Sequence, residues 1–239
     1  MKALKIELEG TATSFRYPHF QIGRQPTYRM PPPATIYGHI ASVLGEFPNP
    51  TSLRFAYHFT YLGRGDDLEH IHQAVVAKPN QKGRNLDITV APLPREILLR
   101  PRLTLYLDGP DLETLRRAFR QPRYTVLLGR SQDLAAYRRV EVVELQRATQ
   151  AYFENTLLPF DYRRRTAAGV TVNMPLFINP ADRREVVWER YIVLERALTP
   201  AQMLVWEGED EGCWVDPEAP ERRGLSRAVV WHGFTKQAA

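Results

Sequence analysis

No helix can run from Thr11 to Pro33. The segment carries Pro18 and Pro26 and ends in Pro31-Pro32-Pro33, and proline both lacks the backbone donor and clashes with the preceding turn. A connection this long is uncommon inside a compact domain unless it serves a function or is disordered. Any fold for this chain must therefore hang a long irregular loop between its first strand and its first helix. The first strand is Lys2 to Glu9: Leu4, Ile6 and Leu8 share one face, and Lys5, Glu7 and Glu9 take the other. The first helix follows the prolines, about Thr35 to Glu46, with Ile36, Ile40, Val43, Leu44 and Phe47 on one apolar stripe.

Beyond the helix, Leu53 to Leu62 is aromatic and β-branched enough for a strand. His70 to Lys78 and Leu86 to Ala91 are the arms of a projecting β-hairpin, with the turn formers Pro79 to Arg84 between them. Leu103, Leu105 and Leu107 mark a strand at Arg102 to Leu107. Asp111 caps a helix at about Leu112 to Phe119, and Tyr124 to Leu128 is read as the next strand. With the hairpin set aside, the order is β-α-β-β-α-β, that of a ferredoxin-like or RRM fold in the α+β class. In RNA-binding proteins that fold offers its open sheet face to RNA, although fold alone does not give function. This unit is expected at residues 1–138, with the hairpin inserted at about 68–100. Residues 139–239 are expected to form a smaller β-rich extension with strands at Arg139 to Leu145, Val186 to Leu194 and Ala228 to Phe234.

Composition narrows the function classes. There is no apolar run of transmembrane length. The N-terminus alternates polar and apolar residues rather than forming a signal-peptide core. Cys213 is the single cysteine, so an internal disulfide is excluded. These features point to the cytoplasm. The net charge is +5, and Glu207 to Glu221 carries seven acids and no base, so the remainder is more basic than the total shows. A polyanion partner fits that remainder, as does a solvated basic surface.

Ser14 to Arg29 holds Arg16, Arg24 and Arg29 with no acid, interleaved with Phe15, Tyr17, Phe20 and Tyr28. Guanidinium groups grip phosphates and rings stack on unpaired bases, a combination suited to single-stranded RNA. The alternative is a loop with its rings in the core and its arginines in water. Lys82 and Arg84 near the hairpin tip fit either phosphate contact or charge that protects a strand edge. Gly129-Arg130-Ser131 fits a backbone cradle for phosphate or an ordinary turn. Arg163-Arg164-Arg165 fits either a phosphate contact or a solvated run, the second being the simpler reading. His39, with Tyr37 nearby, is the one candidate general base for metal-free RNA cleavage; a surface or capping role is the competing reading. His58, His70 and His72 have no acidic or cysteine partner that would make a metal site, and no cofactor motif is present.

The run Gly23-Arg24-Gln25-Pro26-Thr27-Tyr28-Arg29-Met30-Pro31-Pro32-Pro33-Ala34-Thr35-Ile36-Tyr37-Gly38-His39-Ile40-Ala41-Ser42-Val43-Leu44-Gly45 resembles the N-terminal signature of CRISPR-associated (Cas) family five, in its type I-B version. Leu128-Gly129-Arg130-Ser131-Gln132 resembles that family's second signature. The resemblance implies a RAMP-type subunit that caps the type I surveillance complex, Cascade, and holds the 5′ handle of the guide RNA (crRNA). It implies contacts with the backbone subunit through a thumb-like hairpin, a neighbouring large subunit, and target DNA reached through the assembled complex. Carried over by residue, the grip falls on Arg16, Arg24, Gln25, Tyr28, Arg29, Gly129, Arg130 and Ser131, with Lys82 and Arg84 on the thumb. The type I-C branch cuts repeat RNA itself. It has a tyrosine where this chain has Leu44, and a Lys-His pair that does not occur here. The resemblance therefore implies a non-catalytic subunit with no cofactor.

Overall fold

The computed structural model describes residues 1–20, 23–76, 86–196, 204–207 and 212–236. Strand β1 (Lys2–Gly10) is followed by the short β2 (Ala12–Thr13), the loop, and helix α1 (Pro33–Leu44). The helix starts two residues earlier than the apolar stripe suggests, because proline fits the first helical turn, where no donor is needed. It stops at Gly45, whose φ of 83° closes the last turn through an N–H bond to Ala41 O. Next come β3 (Arg54–Thr60), β4 (Gly63–Val76), β5 (Leu86–Leu99), β6 (Arg102–Asp108), α2 (Leu112–Arg120) and β7 (Ala135–Glu144). Asp111 caps α2, accepting from Thr114 N at 2.9 Å.

The main sheet runs β3-β6-β1-β7, all antiparallel, with Leu4 opposite Leu107 and Leu8 opposite Leu103. The fourth strand is β7, not residues 124–128. That apolar run makes only a single bridge, Leu127 to Leu134, because Leu128 N donates to Asp133 O and the chain turns at Gly129. Strand β7 overlaps the strand expected at Arg139 to Leu145, which was placed in the extension; it begins four residues earlier and joins the main sheet at its edge beside β1. It also spans residue 138, so the sheet does not end where the extension was expected to begin.

Both helices cover one face of this sheet. Ile36, Ile40 and Val43 of α1 and Leu115 and Phe119 of α2 pack on Leu4, Ile6, Leu8, Phe55, Leu103 and Leu105. The same core takes in Leu157, Met174, Tyr191, Val193 and Phe234, so the C-terminal residues belong to it. They supply β8 (Gln146–Ala148), β9 (Gln150–Phe153), β10 (Thr156–Pro159), β11 (Val170–Ile178), β12 (Val186–Leu194), β13 (Leu204–Glu207), β14 (Cys213–Val215) and β15 (His232–Gly233). Strand β15 lengthens the main sheet at β3, and β10-β12-β11 forms a second sheet that packs on α1 through β11.

The other sheet face is not open. Ala3, Ala56, Tyr106 and Val143 are buried against Val229, with Trp214 and Trp231 packed on them. Lys5, on the face opposite Leu4, Ile6 and Leu8 as expected, is buried there and pairs with Asp216 from the acidic segment at 2.6 Å.

The hairpin β4–β5 is longer than read: each strand has 14 residues, in register from Gly63↔Leu99 to Val76↔Leu86. At about 3.4 Å per residue that spans roughly 45 Å. Its base is anchored by β2, and residues 70–74 and 88–92 have little cover on either face. The lack of an inside face explains why strict alternation marked only part of it. No helix among the described residues is long and apolar enough to cross a membrane.

Candidate nucleic-acid interface

The long loop returns to the base of the hairpin through its own backbone. Gln25 N donates to Pro94 O at 2.8 Å, Glu96 N donates to Gln25 O at 2.9 Å, and Tyr28 N donates to Phe15 O at 2.9 Å. Side chains lock the return. Ser14 Oγ donates to Glu96 O at 2.9 Å, Thr27 N donates to Glu96 Oε2 at 3.2 Å, and Phe15 N donates to Thr27 Oγ1 at 2.7 Å.

The turn after Leu128 docks on the same place. Gly129 has φ +102°, and a Cβ there would lie 2.4 Å from Thr13 Oγ1 and 2.9 Å from Ser14 O. Only glycine satisfies both the conformation and the close approach. Thr13 Oγ1 donates to the Leu128 carbonyl. The buried Asp133 carboxylate accepts from Ser14 N at 3.1 Å, Arg130 N at 2.9 Å and Arg130 Nη2 at 2.8 Å. The Arg130 N–H is therefore directed inward and makes no outward cradle. Ser131 is exposed, its hydroxyl 3.4 Å from Gln132 Oε1.

Arginines and carboxylates interleave around this junction. Arg24 grips Asp66 with two prongs, Nη2–Oδ1 at 2.8 Å and Nε–Oδ2 at 3.0 Å, and lies 3.4 Å from Glu96. Arg64 Nη1 is 3.1 Å from Glu96 Oε1. Glu69 takes Arg95 Nε, Gln132 Nε2 at 3.0 Å and Arg130 Nη1 at 3.4 Å. Burial pushes the Glu69 carboxyl up, but its hydrogen bonds to Arg95 and Gln132 outweigh this and hold it below the usual range. The side chain of Arg95 is almost fully buried, and its Nη1 has no hydrogen-bond partner among the described residues. Arg29 Nη1 pairs with Glu195 at 2.7 Å, the carboxylate that also accepts from Tyr61 Oη at 2.7 Å. Arg16 is exposed and makes no ion pair with a described residue.

Two residues of the expected grip are interior. Gln25 is buried, and its backbone bonds to β5 fix the loop. Tyr28 is fully buried, its hydroxyl donating to Asn173 O at 3.0 Å and its ring stacked on Tyr17 at 3.7 Å. Burial raises its phenol pKa. The accessible rings are its neighbours: the exposed Phe20 and His19 and the half-buried Tyr17, with His19 lying 6.0 Å from Trp188 of β12. Trp188, Glu69, Glu96 and Asp133 were not read as part of the site, because nothing local in the sequence links them to the loop. Lys82 and Arg84 lie outside the described residues. Chemically, the arrangement offers exposed guanidinium groups at Arg16, Arg24, Arg29 and Arg64, held in set orientations beside a small aromatic platform, which suits phosphates and unpaired bases.

The candidate general base is enclosed. His39 Nδ1 meets Leu127 O at 2.9 Å, Nε2 meets Tyr137 Oη at 2.7 Å, and burial lowers its pKa to about 4. Tyr37 Oη donates to Pro48 O at 2.5 Å. No group of three His, Cys, Asp or Glu able to hold a metal occurs among the described residues.

The sequence matches the family described as CRISPR-associated protein (Cas_Cas5) over residues 3–201. No curated protein matches it. Among solved structures it is similar to a chain of a "CRISPR RNA-guided surveillance complex", at 18% identity and TM-score 0.49, covering 86% of this chain and 89% of that one. It is also similar to a CRISPR protein from Archaeoglobus fulgidus, at 13% identity and TM-score 0.45, covering 98% and 99%. The family match, rather than these distant likenesses, carries the assignment.

Proposed function

We propose, for a chain that belongs to CRISPR-associated (Cas) family five, that it is a non-catalytic subunit of a type I surveillance complex, of type I-B character, gripping the 5′ handle of the guide RNA. The carrying observation is convergence. The loop with the first signature and the Leu128–Gln132 turn with the second meet through Ser14, Glu96 and Asp133 at the base of one hairpin. On this reading the four-stranded sheet with its two helices is the ferredoxin-like RAMP unit. The exposed hairpin is its thumb, reaching to the backbone subunit, with the large subunit alongside and target DNA approached through the assembly. The handle lies across Arg16, Arg24, Arg29 and the Phe20–His19 platform. It does not use the main sheet face, which the C-terminal segment covers. The enclosed His39, with both ring nitrogens engaged, supports a role without RNA cleavage.

The test mixes purified protein with guide RNA bearing its cognate handle, and with the same RNA carrying a scrambled handle, at two salt concentrations. Preferential binding of the cognate handle without cleavage is expected, and Arg16→Gln should weaken it. Metal-free cleavage in the repeat that is lost in His39→Ala overturns the non-catalytic reading in favour of an RNA-processing enzyme. Absence of RNA binding overturns the grip itself.

A further inference from the structure

A pocket of about 540 Å³ lies behind the Gly129–Asp133 turn, lined by Glu9, Gly10, Thr11, Arg100, Pro101, Arg102 and Leu134 to Ala136. Its two arginines differ from those at the hairpin base. Arg24, Arg29, Arg64, Arg95 and Arg130 all face carboxylates. Arg100 and Arg102 are exposed and make no ion pair with a described residue, and the lining carboxylate, Glu9, lies 3.6 Å from Arg138 instead. Arg100 also holds φ +47°, a left-handed backbone that any residue with a Cβ resists. Its N–H donates to Thr11 O at 2.8 Å, and Gly10 N donates to Pro101 O at 3.0 Å, so the bend is fixed by the chain around it. Strain of this kind tends to persist where it positions a group for use. The pocket and the interface lie on either side of one short turn, with Leu134 exposed between them.

Resting on the RNA-gripping reading, we propose that Arg100 and Arg102 form a second phosphodiester site, which takes the guide-RNA backbone as it leaves the hairpin base and passes the turn.

The backbone strain gives a test that a merely structural role would not pass. Arg100→Gly relieves the left-handed conformation while removing the guanidinium. It should raise the melting temperature, lower affinity for handle-bearing guide RNA on the order of tenfold at low salt, and reduce the salt slope by about 0.7. Arg102→Gln should lower affinity and slope in the same way with the melting temperature unchanged. Arg184→Gln, an exposed arginine paired with Asp182, is the control and should bind as the parent does. If Arg100→Gly and Arg102→Gln both bind like the parent while Arg16→Gln is weakened, the pocket is off the RNA path and the proposal fails, leaving the grip intact. If the parent binds no RNA, both fall together.

Discussion

Removing Asp216 should test what closes the sheet face. Lys5 sits mid-strand in β1 with 3% of its surface exposed. Its ammonium lies 2.6 Å from Asp216 Oδ2 and 4.0 Å from Glu7. The same Asp216 oxygen accepts from Tyr106 Oη at 2.7 Å, and Oδ1 accepts from Glu218 N at 2.9 Å. Burial alone would raise the Asp216 carboxyl, but its bonds to Lys5 and Tyr106 hold it below the usual range, so it is ionised at neutral pH. Asp216→Ala therefore leaves a buried ammonium and a buried phenol without their acceptor. Breaking a buried pair from one side costs about 3–5 kcal/mol, against a whole-domain stability of about 5–15 kcal/mol. For a chain of this size that corresponds to a fall of roughly 10 °C in melting temperature. Lys5→Met with Asp216→Asn removes both charges while leaving a carbonyl acceptor for Glu218 N and an amide N–H that the Tyr106 hydroxyl can accept. It should recover to within about 2 kcal/mol of the parent, since apolar replacement of a buried pair is often near neutral. Urea unfolding of the parent, the two single variants and the double variant reads the coupling. A loss under about 1 kcal/mol in Asp216→Ala, or simple additivity in the cycle, refutes the idea that this pair holds the C-terminal segment on the sheet.

Gly129→Ala should cost about 2–4 kcal/mol, through positive φ and contact with Thr13 Oγ1 and Ser14 O, and should weaken RNA binding with it; an unchanged melting curve would contradict the packing described. Acid should destabilise the protein through its enclosed histidines. Burial lowers His39 and His232 to about 4 and His58 to about 3, so between pH 6.5 and 4 the unfolded chain binds more protons than the folded one. Their contribution is complete above pH 6.5 and is lost as pH falls through 4, up to about 3 kcal/mol for each of the first two. Urea midpoints at pH 7.5, 5.5 and 4.5 should fall steadily, less steeply in His39→Gln; a flat profile would show that the rings titrate freely. Asp66→Asn removes the carboxylate gripped by Arg24 in a solvent-exposed pair that contributes little to stability. Stability should hold while guide-RNA affinity rises a few-fold at low salt, and weaker binding would make Arg24 a strut rather than a contact.

Elements with one dry face were legible in the sequence. Leu4, Ile6 and Leu8 announced β1, the Ile36–Ile40–Val43 stripe announced α1, and Leu103, Leu105 and Leu107 announced β6, since each pattern has a core to answer to. The same logic could not reveal that the Lys5 face is dry, because a segment more than two hundred residues away covers it. It shortened the hairpin, which has little dry face, and it chose Tyr124–Leu128 over β7 because the apolar run was the more visible of the two. At the site, loop composition indicated arginines and rings together but not their partners. Arg24 meets Asp66 across 42 positions and Arg29 meets Glu195 across 166, and no local pattern encodes such pairs. Tyr28 and Tyr17 are alike in sequence, yet one is interior and the other forms part of the platform.

Glu96 shows how the candidate interface is built. Its main chain takes one hydrogen bond from the loop and gives one back: its carbonyl accepts from Ser14 Oγ and its N–H donates to Gln25 O. Its carboxylate accepts from Thr27 N and faces Arg64 and Arg24. One residue of β5 thus sets the register of loop against hairpin and the direction of two exposed guanidinium groups. Arginines already held by carboxylates lose little side-chain freedom when a phosphate arrives, which lowers the ordering cost of each contact. They also give up or share an acid to make it, so each contact adds modest net affinity. A grip of this kind derives strength from several phosphates met at once and discrimination from the shape that lets them be met. On the proposed reading, a 5′ handle with a defined fold satisfies that condition better than an extended strand does.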